Sequence, residues 1–307
     1  MTRRDFKGYW PAWPTFEWPG GNRLAVSVVV NVEEGAELSI ADGDERNESV
    51  YEMREEVEDA ADLCMESHFA YGSRMGYWRI AEALDAAGIK ATFSSCGRVA
   101  TRSPWLLQDA VARGHEIACH GWRWERHAGL DETTEKATIE QTVDAITAAT
   151  GVAPVGWHTR SSSTLNTRRL LMQHGGFAYD SDAYDDDCPY IISTETASHV
   201  VLPYAFDTND MRFSPGGGFV HSEDFSRYVI ASFDRLYAES QLATRMLSIG
   251  LHLRIMGRPG RIAGLEAVMA HINRHTDVWC APRRDIAAHW RAVNGLPEWS
   301  ADNNKPA

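Results

Sequence analysis

The run LAVSVVVNV, residues 24–32, limits the fold more than any other stretch of the chain. It is apolar and largely β-branched with little of the alternation that a strand with one wet face shows, so it predicts a strand buried on both faces. Such strands belong to parallel sheets covered by helices, and the chain beyond keeps that beat. YWRIAEALDAAG reads as an amphipathic helix with a glycine stop, IKATFSSCG as a second strand, and SPWLLQDAVARG as a helix with a serine cap and a terminal glycine. HEIACHG reads as a strand, DETTEKATIEQTVDAITAATG as a capped helix, APVGWHT as a strand, and NTRRLLMQHGG as a helix opened by asparagine. The alternation continues through FAYDSD, HVVLPYAFD, the helix DFSRYVIASFDRLYAES, MLSIGLHLRI, GLEAVMAHINRH and VWCAPRRDIAAHW. About seven βα units predict an α/β fold, a parallel sheet or a single barrel.

The barrel domain is expected over residues 23–295. Ahead of it, residues 1–22 set Trp10, Trp13 and Trp18 among Pro11, Pro14 and Pro19, an extended arm suited to packing on its own domain or on a partner subunit. Residues 296–307 form a polar tail. A net charge of −13, with no basic block longer than a pair, argues against nucleic-acid binding and for a small or sugar-like substrate. The five cysteines are scattered and never in a CxxC pair, which predicts buried thiols in a reducing compartment. The N-terminal stretch is broken by prolines and lacks a secretory apolar core, and no run approaches the roughly 20 apolar residues of a membrane span. A soluble, cytoplasmic protein is expected.

In parallel βα architectures the polar residues at the C-terminal ends of strands reach a shared cleft. Here those positions carry Asn31, Glu33 and Glu34, then Ser94 and Ser95, His120, and Trp157, His158 and Thr159. Asp180 and Asp182 follow, then Asp207, Asn209 and Asp210, and last His252 and Arg254. Acids and histidines recurring at one rim predict a titratable site. Trp122 and Trp124 are suited either to stacking on a flat heterocycle or to packing under a loop. Asn209 and Arg212 offer directional hydrogen bonds to amide and carbonyl groups.

NVEEG (31–35), GHEIACH (114–120) and LSIGLH (247–252) are three motifs through which the chain resembles the polysaccharide deacetylase (NodB-homology) superfamily. YGSR, HGWRW, GWxT followed by NTRRL, YDSDAYDDD, NDMRF and GRPGR resemble its PuuE-type allantoinase branch, which hydrolyses cyclic amides. The resemblance spans residues 25 to 290. It implies a distorted (β/α)7-type barrel, with Glu33 as general base, His252 as general acid, and Glu34 and His120 as the residues matching metal ligands. Asn31, Trp122, Trp124, Trp157, His158, Arg160, Asn209 and Arg212 are the expected substrate contacts. A homotetramer is also implied.

The chain departs from the deacetylase pattern four residues after His120, where a second metal histidine is replaced by Trp124. His127 lies seven residues on, roughly 10 Å along a helix, and reaches the same ion only if a loop after Gly121 brings it back. Zinc needs a third protein ligand beyond Glu34 and His120. The branch resemblance implies catalysis with no cofactor, one divalent zinc being the alternative. Without a metal, Arg160, Arg212, Arg254 or backbone amides near Trp157 must hold a developing oxyanion. The expected activity is opening of a small cyclic amide such as allantoin, hydantoin or a cyclic imide. A carbohydrate N-deacetylase and a ligand-binding homologue without turnover are the other readings.

Overall fold

The computed structural model describes residues 6–300 apart from 10, 51, 53, 54, 161, 195 and 196. Trp10 and the first five residues of the arm, and residues 301–307 of the tail, lie outside the described residues. The strands are β1 Leu24–Val32, β2 Thr92–Ser95, β3 Glu116–Cys119, β4 Gly156–Trp157, β5 Tyr179–Asp180, β6 Tyr190–Ser193, β7 Ser198–Val201, β8 Arg245–His252 and β9 Val278–Cys280. The helices are α1 Leu63–Tyr71, α2 Tyr77–Ala87, α3 Gly97–Arg102, α4 Pro104–Ala112, α5 Glu132–Thr150, α6 Thr167–His174, α7 Ser222–Glu239, α8 Leu253–Met256, α9 Ile262–Ile272 and α10 Arg283–Val293.

Residues 24–32 form the strand predicted for them, and all nine are buried. One edge of β1 pairs with β8 from Leu24 to Asn31. The other is shared, β9 taking Leu24–Val26 and β2 taking Val29–Val32. From β1 the sheet runs through β2, β3, β4, β5 and β7 to β6. It is a curled half-barrel whose strands are parallel except for the β6–β7 pair. That antiparallel pair is not legible in PYIIST, and β7 stops at Val201, shorter than HVVLPYAFD suggests, because Pro203 cannot donate to a ladder. The parallel register puts the C-terminal ends of β1, β2, β3, β4 and β8 at one rim, where the candidate residues sit.

Helix ends follow the sequence in part. The Asp131 side chain accepts from Thr134 N at the start of α5, which ends on left-handed Gly151. Ser103 and Asn166 make no side-chain cap bond. Pro104 begins α4 instead, its missing N–H being one the first turn leaves unpaired anyway. α1 is not expected from sequence because only Met65 and Phe69 turn inward from it. A wide turn, Gly72–Gly76, joins it to α2, and a Cβ on Gly76 would lie 2.0 Å from the Leu253 carbonyl oxygen. Glycine there lets α8 lie directly on the turn.

The end of the arm packs on its own chain. Trp18 is 2% exposed, donates to the Arg245 carbonyl and meets the Trp279 and Trp290 rings, while Trp13 is exposed beside Arg245. All five thiols are free; Cys96, Cys119 and Cys188 are buried as expected, whereas Cys64 is exposed. Among the described residues no helix is long and apolar enough to cross a membrane.

Candidate active site

Successive side chains of an extended chain point to opposite faces, so the neighbours Glu33 and Glu34 at the end of β1 have different surroundings. Glu33 has no solvent exposure. One carboxylate oxygen, Oε2, accepts from Arg254 Nη1 at 2.6 Å. The other, Oε1, lies 3.3 Å from His120 Nε2 and 3.5 Å from His252 Nε2, without a hydrogen bond of its own. Glu34 instead accepts from the backbone amides of Glu33 and Arg254, pressed against Gly72, where a Cβ would lie 2.2 Å from its Oε1.

The electrostatics separate the two acids. Burial by itself would raise the Glu33 pKa, but the charges of His252 and Arg254, with His120, outweigh it and hold the carboxyl well below the usual carboxylate range. Burial pushes Glu34 up to about 7, with Arg254 opposing and the Glu33 charge adding to the rise. Adjacent acids driven apart in this way suit different tasks.

His252 is oriented by Asp210, whose carboxylate takes its Nδ1 at 2.7 Å and its backbone amide at 2.8 Å. Burial opposes a charge on this imidazole, but Glu33 and then Asp210 overcome it and raise the pKa. His120 Nδ1 donates to the His158 carbonyl at 2.7 Å, which aims Nε2 at Glu33. Asp210 was recognisable only as one of several acids at strand ends. Its pairing depends on the bridge between Asn209 and Gly250, which sequence does not reveal.

Around this centre Tyr204, missed in the sequence, is the common acceptor. Its hydroxyl takes Asn31 Nδ2 at 3.0 Å and Asn209 Nδ2 at 3.2 Å, and its ring lies 4.4 Å from that of His158. His158 is buried and its Nε2 meets the Tyr184 hydroxyl at 3.2 Å. Trp124 is 6% exposed, with the Arg160 guanidinium 3.5 Å and that of Arg254 5.1 Å from its ring centre. It forms a wall of the site.

Other expected contacts are placed elsewhere. Trp122 packs on Gly97, where α3 approaches α5. Trp157 is wholly buried, its Nε1 donating to Thr159 and its ring meeting Phe177. The amides after it are engaged, His158 N by Cys119 O and Thr159 N by Asp182, which removes them as oxyanion donors. Arg212 donates to the Gly217 and Asp207 carbonyls and lies over Phe219 and Tyr228, fixing its own loop. Arg160 holds Glu48 at 3.2 Å and the Trp124 carbonyl at 2.7 Å.

The pair of Glu34 and His120 is not a ligand set here, since Glu33 rather than Glu34 faces the imidazole. His127 is wholly buried, with Nδ1 3.3 Å from Glu135 and its ring against Trp157. Among the described residues no three His, Cys, Asp or Glu side chains are grouped to hold an ion. Trp124 stands four residues after His120, where the deacetylase resemblance implies a second imidazole, and Arg254 already places a cation on Glu33. The donors present do not fit zinc.

The acid-rich loop after β1 forms a strap that arginines tie to the site. Asp44 pairs with Arg123 at 2.6 Å, Glu48 with Arg160, and Glu52 with Arg254 at 3.0 Å. Arg123 also donates to the carbonyls of Ala36 and Glu37. These ion pairs hold the Glu48 and Glu52 carboxylates largely out of water, and the buried Glu37 carboxylate accepts from Gly35 N.

A buried acid facing an aspartate-held imidazole, with an arginine alongside, divides the proton transfers that water addition requires, which is the equipment of a hydrolase. The polysaccharide deacetylase family model matches residues 60–179. A Schizosaccharomyces pombe protein placed by name among the polysaccharide deacetylases is 36% identical over 299 residues, covering 91% of this chain and 93% of its own. The chain belongs to the polysaccharide deacetylase family. The crystal structure of Puue allantoinase superposes with a TM-score of 0.92 at 40% identity, covering 97% of this chain and 100% of that one. A Pseudomonas aeruginosa PAO1 protein solved as a probable polysaccharide deacetylase gives the same TM-score, 0.92, and the same identity, 40%, over 96% and 100% of the two chains.

Proposed function

We propose that the chain is a cyclic amidohydrolase that opens a small ring such as allantoin, hydantoin or a cyclic imide. The observation that carries this reading is burial: Glu33 is 0% exposed, His120 3% and His252 7%, under a strap tied down by ion pairs. A flat ring of a few atoms can be enclosed at such a centre, whereas a polymer strand needs an open groove. The likeness to Puue allantoinase over the full length of that chain supports it.

In the proposed reaction Glu33 takes a proton as water adds to a ring carbonyl, and His252 protonates the departing ring nitrogen. A carboxylate held this low is reliably ionised but a weak base. Negative charge growing on the ring oxygen draws on the Arg254 and His252 cations, so Glu33 gains basicity as the oxyanion forms. Asn31, whose amide nitrogen is tied to Tyr204 and whose Oδ1 is buried without a hydrogen bond, offers an acceptor to a ring N–H.

Turnover requires ionised Glu33 and protonated His252. The acid limb of the kcat profile should therefore lie below the ordinary carboxylate range. The alkaline limb, where His252 loses its proton, should lie above the ordinary histidine value of about 6.5. Asp210→Asn removes one of the charges raising the His252 pKa, so its alkaline limb should move to lower pH. An unmoved limb in that variant would assign the ionisation to another group.

Metal-independent catalysis is part of the reading. After exhaustive chelation, hydantoin turnover should stay within about twofold of the untreated enzyme, a barrier change well under ~1 kcal/mol. Loss of turnover restored by zinc would reject it. The second reading, an N-deacetylase of carbohydrate, draws on the names of the Schizosaccharomyces pombe and Pseudomonas aeruginosa relatives. Acetate release from an N-acetylated oligosaccharide, with no opening of allantoin or hydantoin, would select it.

A further inference from the structure

A cavity of about 530 Å³ opens beside the catalytic centre, between the strap, the start of α7 and the GRPGR turn that follows α8. Glu52, His68, His221, Ser222, Arg258 and Arg261 line it. Its relation to the reaction is close. Glu52 accepts from Arg254 Nε at 3.0 Å, and Nη1 of the same guanidinium meets Glu33 at 2.6 Å. A single side chain separates the cavity wall from the proposed base.

Among the described residues the two arginines form no ion pair. Arg258 donates to the Arg254 carbonyl at 3.3 Å, lies 2.9 Å from His68 Nδ1 and stacks 3.6 Å from the centre of the Tyr71 ring. Arg261 donates to the Ile255 carbonyl at 3.3 Å and lies over Phe213. Among the described residues neither has a carboxylate within the 4 Å of an ion pair. Of the acids in the lining, Glu52 is already held by Arg254 and lies 3.5 Å from His68, and Glu223 is exposed, bonded to Ser222. His68 Nε2 is buried without a hydrogen bond. Burial disfavours the Arg261 cation and the nearby Arg258 charge adds to this, while the Asp210 and Glu52 charges pull the other way. Two partly desolvated guanidinium groups facing one space are stabilised by an oxyanion, which both can fork.

Opening a cyclic amide makes such a group. The water oxygen bonds to the ring carbonyl carbon, the carbon–nitrogen bond breaks and the nitrogen takes a proton, so a neutral ring becomes a chain ending in a carboxylate. We propose that this cavity is a carboxylate-binding site that receives the ring-opened acid, with Arg258 and Arg261 as its charge partners. The assignment of the acid rests on the cyclic-amide reading; the carboxylate chemistry rests on the cavity. A neutral substrate has no reason to enter, so the site distinguishes product from substrate by charge.

The test is calorimetric titration of the full chain with N-carbamoylglycine, the acid formed from hydantoin, and separately with inorganic phosphate. N-carbamoylglycine is expected to bind the parent protein and to lose about tenfold or more in affinity in Arg261→Gln, with hydantoin kcat kept within about twofold. Arg258→Gln should behave alike; if it fails to fold, having lost its bonds to Arg254 and His68, Arg261→Gln decides alone. Equal affinity in parent and variant, or no binding by the parent at millimolar acid, overturns the proposal. So does Arg261-dependent binding of phosphate without that of N-carbamoylglycine, which would make this a phosphate site. Arg261-dependent binding in a protein that opens no ring would refute the catalytic reading and retain the carboxylate site. Normal turnover with Arg261-independent binding would refute the site alone.

Discussion

Glu33→Gln is expected to lower kcat for hydantoin or allantoin opening by about 10²–10⁴-fold, the usual contribution of a positioned acid or base. The amide keeps the shape of the carboxylate and can still accept from Arg254, but it cannot take a proton from water. Since the ring is held by other groups, KM should change far less than kcat, and the acid limb of the rate profile should vanish with the group that causes it. The burial of Glu33 makes bypass difficult, because among the described residues no other carboxylate touches both imidazoles: Glu34 is turned onto backbone amides and Asp210 is occupied by the far side of His252. Turnover within about tenfold of the parent, roughly 1.4 kcal/mol of barrier, would remove Glu33 from the chemistry. His252→Ala should give a loss in the same range, with the alkaline limb rather than the acid one abolished.

Much of this site can be read from the chain, and the failures have identifiable causes. β1 was legible because an uninterrupted apolar run has one economical fate, and its end led directly to Glu33. The division of labour between Glu33 and Glu34 was obscured by motif matching, although the two-residue period of an extended chain already forbids both from facing His120. Asn31 and Glu33, two apart, do share the inner face, with Tyr204 and His252 as their respective neighbours. Tyr204 and Glu52 escaped, and the pairing of Asp210 with His252 went unseen, because each acts through a contact between residues tens of positions apart. Trp124 was equally ambiguous: only the folded chain shows its ring against both Arg160 and Arg254, so that the residue standing where the resemblance implies a metal histidine also flanks the arginine bonded to Glu33. Arg160, expected to hold an oxyanion or contact substrate, and Arg212, expected for its directional hydrogen bonds, spend their donors on the strap and on a local loop.

Arg254→Leu should produce the largest loss of stability, about 3–5 kcal/mol, the usual cost of leaving a buried charge without its partner. Arg254 is 1% exposed and is shared between two carboxylates, Glu33 at 2.6 Å and Glu52 at 3.0 Å. Leucine fills part of the space against Phe69 and Trp124 but leaves both anions in a medium that cannot solvate them. The melting temperature should fall by on the order of 10 °C for a chain of this size. Adding Glu52→Gln to Arg254→Leu should recover part of the loss, so that the double variant is more stable than the sum of the single changes predicts. The dependence on pH gives a second check. In the parent the depressed pKa of Glu33 contributes stability that is present above its unfolded value and lost as pH falls through the folded one. Without Arg254 much of that depression goes, so Glu33 protonates more readily and its stranded charge disappears in acid. The stability gap between parent and Arg254→Leu should therefore narrow as pH drops below about 4, where unfolded carboxyls also take up protons. A gap that stayed constant through this range would mean that the leucine variant suffers from lost packing rather than from unpaired charge.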